Sequence, residues 1–474
     1  MRYQERGVTL VPQLEAIFLK TADQIHSYGP IDLATTTLGF AKTIQTLQRS
    51  KRGYVKGSYE DYLHGILIRQ RDAVFSFLAR TVVPKLHQFE PRYLKDLAYT
   101  YAILDFVPKV NDGSTLFDHI AEKSIPLIDK FNPQSLANMV WAFEKVKVSH
   151  PDLFKRIGEH IVGRRHLNDF TTQNLSNIVL AYAKAGVTQP CLFNKVADHI
   201  DMNDQLNDFK PQELANSVYA YAKAGVSHPC LFKKVAGHIV SLEHLNDFDS
   251  QGLANIVWSY TKAGVSNHLL FNKVADHIVT RQHLNDFAPQ ALSNTIYAYA
   301  KAEISHLDLF NKVADHIVSL DNLGDYKEQH ITNLAWSYHK AGIIRQDLNG
   351  QLKDAAVGRK EEFSMKRLKI LNRWMSEEEG TQIKEDDEQS EQDEDENGSV
   401  VVVEDDNEEN NMEDGGIEDQ EEEEEEDKDN TASIPEELSL LTVVQLKERL
   451  RGLGLPVSGR KQELIDRLNN YFQK

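Results

Sequence analysis

The sequence predicts an all-α protein whose main body is an α-solenoid of helix pairs, each about 39 residues long. One pattern, clearest from Phe209 to Ile239, recurs every 39 residues without insertion or deletion. Within each copy, apolar residues follow the 3.6-residue period of two successive helices. One helix pair cannot bury both of its apolar stripes, so the pairs must stack. The copies begin at Phe131, Phe170, Phe209, Phe248, Phe287 and Tyr326.

Residues 1–88 are predicted to form an N-terminal helical cap that contains a degenerate copy of the repeat. Leu33 to Lys42 aligns loosely with Leu136 to Lys145. A better copy begins at Phe89 and holds Asp96 where the later copies hold Asn. Terminal repeats are expected to be atypical, because one of their faces has no neighbour to bury it. The repeat array itself is predicted to span residues 89–348.

Each repeat carries start and stop signals for two helices. Pro133 lies where the first turn of the first helix is expected, a position at which a missing N–H is harmless. Gly225 follows the last periodic residue of its copy, as a helix C-terminus requires. The second helix is predicted to start at Ser149-His150-Pro151, with Ser149 as the cap.

A polar stripe is predicted along the first helix, opposite its apolar face. Gln134, Asn138, Ala142 and Lys145 follow one another at spacings of 4, 4 and 3. Amides can bond base edges and lysines can meet phosphates, and helical repeats that read RNA assign roughly one base to each repeat. The Asn instead could tie neighbouring helices together, and both roles stay open. The Asn positions are Asn138, Asn177, Asn216, Asn255, Asn294 and Asn333; the Lys positions are Lys145, Lys184, Lys223, Lys262, Lys301 and Lys340.

The residue after each Gln varies, which suits either a base-reading code or plain solvent exposure. Its occupants are Ser135, Asn174, Glu213, Gly252, Ala291 and His330. A histidine recurs on the second helix, but helices about 8–10 Å apart cannot bring one His each to a single ion. We therefore expect no metal and no cofactor. The two cysteines, Cys191 and Cys230, are expected to be small buried residues.

The charge of the chain is segregated along its length. Residues 349–375 are predicted to form a capping helix with a basic outer face. Residues 376–433 are expected to be a disordered linker, because residues 376–430 hold 29 acidic and two basic side chains and few apolar ones. The body before the linker carries a mild positive balance, which permits a polyanionic partner.

Residues 434–474 are predicted to form a small helical module. Thr442 with Gln445 fits a capping box, and Gly452 to Gly459 separates two apolar stripes. The pattern L-T-V-x-x-L-K-x-x-L-x-x-x-G-L-P-x-S-G-x-K-x-x-L-I-x-R-L resembles the SAP motif, a helix–turn–helix unit that binds DNA and sometimes RNA. A helical hairpin that docks a protein stays as the alternative. The residues that match basic SAP positions are Lys447, Arg451, Arg460, Lys461 and Arg467.

The repeat string F-x-P-Q-x-L-A-N-x-V-W-A-Y-A-K-A-G-V-S-H-P-x-L-F resembles the octotricopeptide-like repeats of organellar RNA-binding proteins. It is also similar to the helical repeats of FAST-kinase-like mitochondrial proteins. The resemblance covers residues 89–348 and implies an α-solenoid that binds organelle RNA during processing, stabilisation or translation. No RAP module is recognised after the repeats, so the resemblance implies binding here and not a nuclease-like activity.

The sequence therefore predicts a non-enzymatic protein that binds single-stranded RNA, with DNA as a possible SAP ligand and protein partners for the acidic linker. No acid–base set, P-loop or paired-carboxylate pattern suggests catalysis. No apolar run is long enough for a membrane span. The resemblance implies a mitochondrion or plastid, although Met1 to Lys20 shows no clear transit peptide. The alternative is a nuclear scaffold whose SAP module binds DNA and whose solenoid binds protein.

Overall fold

A computed structural model describes residues 24–50, 59–202, 206–359 and the single residues 361, 363, 368 and 371, with side chains omitted at 47–50 and 59–70. Within these residues, eight helix pairs follow one another, each with a first and a second helix. The predicted all-α class and stacked array are confirmed. The first helices are Pro30–Ser50, Pro91–Ile103, Pro133–Lys145, Thr172–Lys184, Pro211–Ala224, Ser250–Lys262, Pro289–Lys301 and Glu328–Lys340.

The second helices form a separate layer beside the first helices. Each first helix packs against the first helix of the next pair, and from Leu116–Ser124 onward the second helices also pack in succession. Two short 3-10 segments, Val83–Gln88 and Ile125–Lys130, continue the second helices that precede them. The second helices are Tyr59–Val82, Leu116–Ser124, Pro151–Gly163, Pro190–Met202, Pro229–Ser241, His268–Thr280, Leu307–Val318 and Gln346–Gly358.

Packed helices lie on both sides of residues 89–348. Pro30–Ser50 packs against Pro91–Ile103 as one first helix does against the next, so a helix pair precedes Phe89. At the other end, Gln346–Gly358 packs against Leu307–Val318 and crosses the boundary that the sequence placed after residue 348. That helix is the second helix of the last pair because it continues the second layer.

The helix ends follow the local signals, with one correction. Gly225 closes its helix at φ 65°, a left-handed conformation that glycine adopts without a Cβ clash. The second helix, however, is capped by His150 and not by Ser149. The Nδ1 atom of His150 accepts from the Leu153 N–H at 3.3 Å. Pro151 occupies the first helical position, so the residue directly before it becomes the cap.

A buried tyrosine fastens six of the eight described first helices to the preceding repeat. The hydroxyl of Tyr260 donates to the backbone carbonyl of Phe232 at 2.6 Å, and the two rings meet edge to face at 5.1 Å. Burial raises the pKa of Tyr260, so the hydroxyl stays protonated and able to donate. Phe143 fills the same position in its repeat and keeps the ring contact, with Phe117, without a hydroxyl. The equivalent donors are Tyr101, Tyr182, Tyr221, Tyr299 and Tyr338.

One glycine gives space to a neighbouring repeat. A Cβ on Gly158 would lie 1.6 Å from Oε1 of Gln189, whereas a Cβ on Gly237 would meet nothing within 4 Å. Gly237→Ala is expected to raise the free energy of unfolding by about 0.5–1 kcal/mol through helix propensity. The free energy of unfolding of Gly158→Ala is expected to be at least about 1 kcal/mol lower than that of Gly237→Ala, because the side chain of Gln189 must move away from the new Cβ. Urea denaturation of both variants measures this difference.

The double variant Gly158→Ala/Gln189→Ala serves as the control for this prediction. This variant removes the contact between the new Cβ at position 158 and the side chain of Gln189. Its free energy of unfolding should therefore rise as much as that of Gly237→Ala. Equal stabilisation by Gly158→Ala and Gly237→Ala would show that Gln189 does not need the space above Gly158.

The two cysteines are exposed, so the expectation that they are buried is wrong. Each occupies the second position of a second helix, where the side chain points away from the buried Leu and Phe that follow. Within the described residues, no helix combines the length and the apolar character that crossing a bilayer requires.

Candidate nucleic-acid interface

Each first helix exposes one narrow ridge between its two neighbouring first helices. The predicted stripe included Ala142, but Ala142 is fully buried, whereas Trp141 stays partly exposed. At about 100° per residue, position 141 lies within about 20° of Gln134, and position 142 lies about 80° away, under the adjacent helix. The exposed line is therefore Gln134, Asn138, Trp141 and Lys145, at spacings of 4, 3 and 4. We call the same four positions of the six first helices from Pro133–Lys145 to Glu328–Lys340 the polar ridge, and not all of its members are exposed. Its buried members include Gln290, Tyr219, Trp258 and Trp336.

The six Asn of the polar ridge lie at its centre and are partly or mostly buried. Asn294 is 9% exposed, and the other five are more accessible. No side-chain hydrogen bond joins any of these amides to another residue within the described part of the chain. The alternative in which each Asn ties neighbouring first helices together through a hydrogen bond therefore finds no support among those residues. Both the donor and the acceptor of each amide face a surface that water or a ligand can reach.

The six Lys of the polar ridge lie in the last turn of the first helices. Lys301 donates to the hydroxyl of Tyr297 at 3.0 Å, and Lys340 lies 4.0 Å from a carboxylate oxygen of Glu303. Burial, and then the charges of Lys184 and Lys147, lower the pKa of Lys223. Ammonium groups of neighbouring repeats therefore interact electrostatically. A cation in the last turn also favours the helix, because it faces the negative end of the helix dipole.

Aromatic residues occupy most positions that correspond to Trp141, and Tyr99 of Pro91–Ile103 contacts Trp141 itself. Trp141 and Tyr297 are partly exposed, whereas the other three aromatic residues at this position are buried. Tyr219 contacts Trp258 with ring centroids 5.3 Å apart, and Tyr297 contacts Trp336 at 4.9 Å. Leu180 interrupts the series. Sequence reasoning did not single out this series. A Tyr or Trp three residues after every Asn except Asn177 was the signal that could have revealed it.

The variable residue after each Gln is buried, so it serves neither as a base-reading code nor as an exposed position. This correction has a local cause: the residue is the third of the first helix, which faces the preceding loop. Glu213 accepts from the backbone N–H of Lys210 at 3.0 Å, and His330 accepts from that of Lys327 at 3.2 Å. These side chains complete the helix N-terminus, as capping boxes do. All six are buried: Ser135, Asn174, Glu213, Gly252, Ala291 and His330.

His330 makes the stability of the array depend on pH. Burial, and then Lys327, lowers its pKa from 6.5 to about 4. Because folding depresses this pKa, His330 contributes stability above about pH 6.5 that is lost as the pH falls toward 4. His330→Asn copies Asn174, which makes the same cap without titrating. Between pH 7 and pH 4, the free energy of unfolding of this variant should fall by on the order of 1–2 kcal/mol less than that of the unmodified protein, after allowance for solvent screening.

Thermal denaturation of both proteins across this pH range checks the expectation. Some acid sensitivity should persist in His330→Asn, because burial also lowers the pKa of four histidines on the second helices. Parallel losses of stability in the two proteins would contradict a titrating role for His330. The four histidines are His199, His238, His277 and His316.

A second row of lysines, on the second helices, differs from the row on the polar ridge. Lys195 donates to the carbonyl of Arg165 at 3.3 Å, and Lys273 donates to that of Leu242 at 2.6 Å. These lysines join a second helix to the loop of the preceding repeat. Among the described residues, no group of three or more His, Cys, Asp or Glu is placed to hold a metal ion.

The remaining predicted elements lie outside the described residues. They are the acidic linker at 376–433 and the basic SAP residues Lys447, Arg451, Arg460, Lys461 and Arg467. Most of the predicted capping helix at 349–375 beyond Gly358 also lies outside, although Phe363 and Leu371 are buried.

Two family models match the chain. One, described as SAP domain, matches residues 437–473, where the sequence pattern placed that module. The other, described as RNA-editing substrate-binding complex 8 protein, matches residues 70–335, which hold most of the helix pairs. These matches do not include the octotricopeptide-like or FAST-kinase-like families that the repeat resembles. No curated protein matches the chain.

Proposed function

Because the chain belongs to the RNA-editing substrate-binding complex 8 protein family, whose model covers residues 70–335 of its 474, we propose that it binds RNA without catalysing a reaction. In this proposal the helix-pair array holds single-stranded RNA along the polar ridge. The protein acts in mitochondrial RNA metabolism, as one subunit of an assembly that edits RNA. Its partners are the RNA and the other proteins of that assembly.

The row of Asn amides is the observation that carries this proposal. A helix interior is a poor place for Asn, which costs roughly 0.6 kcal/mol relative to Ala at each position. Six repeats keep Asn there without an intramolecular hydrogen bond to any described residue. A polar ligand with donors and acceptors would satisfy these amides, and nucleobases offer both. The lysines at the same helix ends would supply the charge that phosphates require.

The SAP module would provide a second, weaker binding site for the same nucleic acid. It is joined to the array through the acidic segment at 376–430. Two binding sites on one chain bind more tightly together than either alone, provided that the linker can span them. The basic residues assigned to this second binding site are Lys447, Arg451, Arg460, Lys461 and Arg467.

The lysines of the polar ridge provide the test. We expect Lys223→Gln/Lys262→Gln/Lys301→Gln to weaken binding of single-stranded RNA roughly tenfold at physiological salt. The slope of log affinity against log salt should become shallower by about 2, since each lost phosphate contact on a single strand removes roughly 0.7. Fluorescence anisotropy with a labelled oligonucleotide, repeated from low to high salt, measures both quantities.

The control removes the same charge from the other layer. Lys155→Gln/Lys233→Gln/Lys353→Gln changes three exposed lysines of the second helices. This variant should keep the affinity and nearly the whole salt slope. If both variants weaken binding equally, only the total charge matters, and the polar ridge is not the binding surface.

A further inference from the structure

The exposed face of the array is nearly the same in every repeat. Gln, Asn and Lys recur at the same three places of the polar ridge over six repeats. Arrays that read a mixed sequence place different side chains at their base-reading positions, so that each repeat selects its own base. This array presents the same amide, in the same local environment, to each successive nucleotide.

The positions that do vary are unsuited to selecting bases. The residue after each Gln is buried. Asn174, Glu213 and His330 are also bonded to the N-terminus of their helix, whereas Gly252 and Ala291 have no polar side chain.

The aromatic position changes between Trp141, Leu180 and Tyr219, but Tyr219, Trp258 and Trp336 are buried. The partly exposed Trp141 and Tyr297 could stack on any base with little preference. Variation along the array therefore carries almost no information about base order.

The spacing of the repeats favours one nucleotide per repeat. Packed helices lie about 8–10 Å apart, whereas stacked bases rise only about 3.4 Å per step. A strand that follows the ridge must therefore unstack its bases, which exposes their hydrogen-bonding edges to the amides. One Asn amide offers one donor and one acceptor, which fits a base edge with the complementary pair. Asp96 holds the corresponding place before Asn138 and pairs with Lys95, so the row of Asn amides begins at Asn138.

Resting on the RNA-binding function proposed above, we infer that the polar ridge selects a single-stranded RNA tract of one repeated base over a mixed sequence. Six equivalent Asn set the length of this tract at about six nucleotides. Each amide adds the same preference as its neighbours, so selectivity accumulates along the tract. A mixed sequence matches only some of the amides in any register.

Binding of the full-length protein to A12, U12, C12 and several mixed-sequence 12-mers tests this inference. One homopolymer should bind at least tenfold more tightly than the other two and than every mixed sequence, since each matched base adds about 1 kcal/mol or more. For the preferred base, affinity should rise with length up to about six to eight nucleotides and then level off.

The variant Asn216→Ala/Asn255→Ala/Asn294→Ala assigns the preference to the ridge. In this variant the ratio between the preferred homopolymer and mixed RNA should fall to about half of its value on a logarithmic scale, because three of the six equivalent amides remain. A ratio that does not fall would belong to another part of the chain and would overturn the inference. Equal binding of all oligonucleotides by the unmodified protein would also overturn it, while leaving RNA binding itself intact. Failure to bind any of them would overturn the proposed function as well.

Discussion

Replacing three ridge asparagines is expected to separate binding from stability. Asn216→Ala/Asn255→Ala/Asn294→Ala should lower the affinity for the preferred RNA by about 100-fold or more, because three amide–base contacts at about 1 kcal/mol each are lost. The same change should raise the free energy of unfolding by about 1–2 kcal/mol, because Ala is the better helix former and no hydrogen bond to a described residue is lost. Calorimetric titration with RNA and urea denaturation measure the two effects.

Asparagines on the second helices provide a matched control for this variant. Asn194→Ala/Asn272→Ala/Asn349→Ala makes the same chemical change at helical positions away from the polar ridge. This control should gain stability to a similar degree and keep its RNA affinity. If the ridge variant loses stability and keeps its affinity, the six Asn serve to hold the array together, and the assignment of the ridge to RNA is wrong.

The largest effect on folding is expected at Tyr260, in the middle of the array. Tyr260 is fully buried, and it joins its first helix to Phe232 of the preceding repeat by a hydrogen bond and a ring contact. Tyr260→Ala should lower the free energy of unfolding by about 3–5 kcal/mol, through lost burial and a cavity. Because each repeat contacts only its neighbours, a defect here should weaken the coupling between the two halves of the array. Urea denaturation followed by circular dichroism should then show two transitions.

Tyr260→Phe separates the hydroxyl from the ring. This change should cost only about 1 kcal/mol and keep a single transition, because the ring contact remains. The repeat with Phe143 already has this arrangement, with its ring 5.1 Å from that of Phe117. Equal costs for Ala and Phe would place the coupling in the hydrogen bond alone. A negligible cost for Ala would show that repeats are joined elsewhere.

Local features of the sequence were sufficient to predict the repeat, its phase and its two helices. Pro133 begins a first helix as predicted, and Gly225 ends one. These signals act within one turn of their own helix, so a single copy of the pattern contains them. The SAP match at residues 437–473 likewise follows from a short pattern whose glycine, proline and apolar positions lie close together in the chain. The apolar stripes predicted stacking because each helix pair leaves apolar surface for a neighbour.

Tertiary structure decided which side of each first helix remains accessible. Position 142 was predicted to be exposed, but Ala142 is fully buried in the stacked array. Packing between repeats also determines that Tyr260 reaches Phe232 of the preceding repeat. The sequence by itself thus determined the helices and their period. Only the packing of one repeat on the next decided which polar groups remain accessible to RNA, because burial depends on residues far away in the chain.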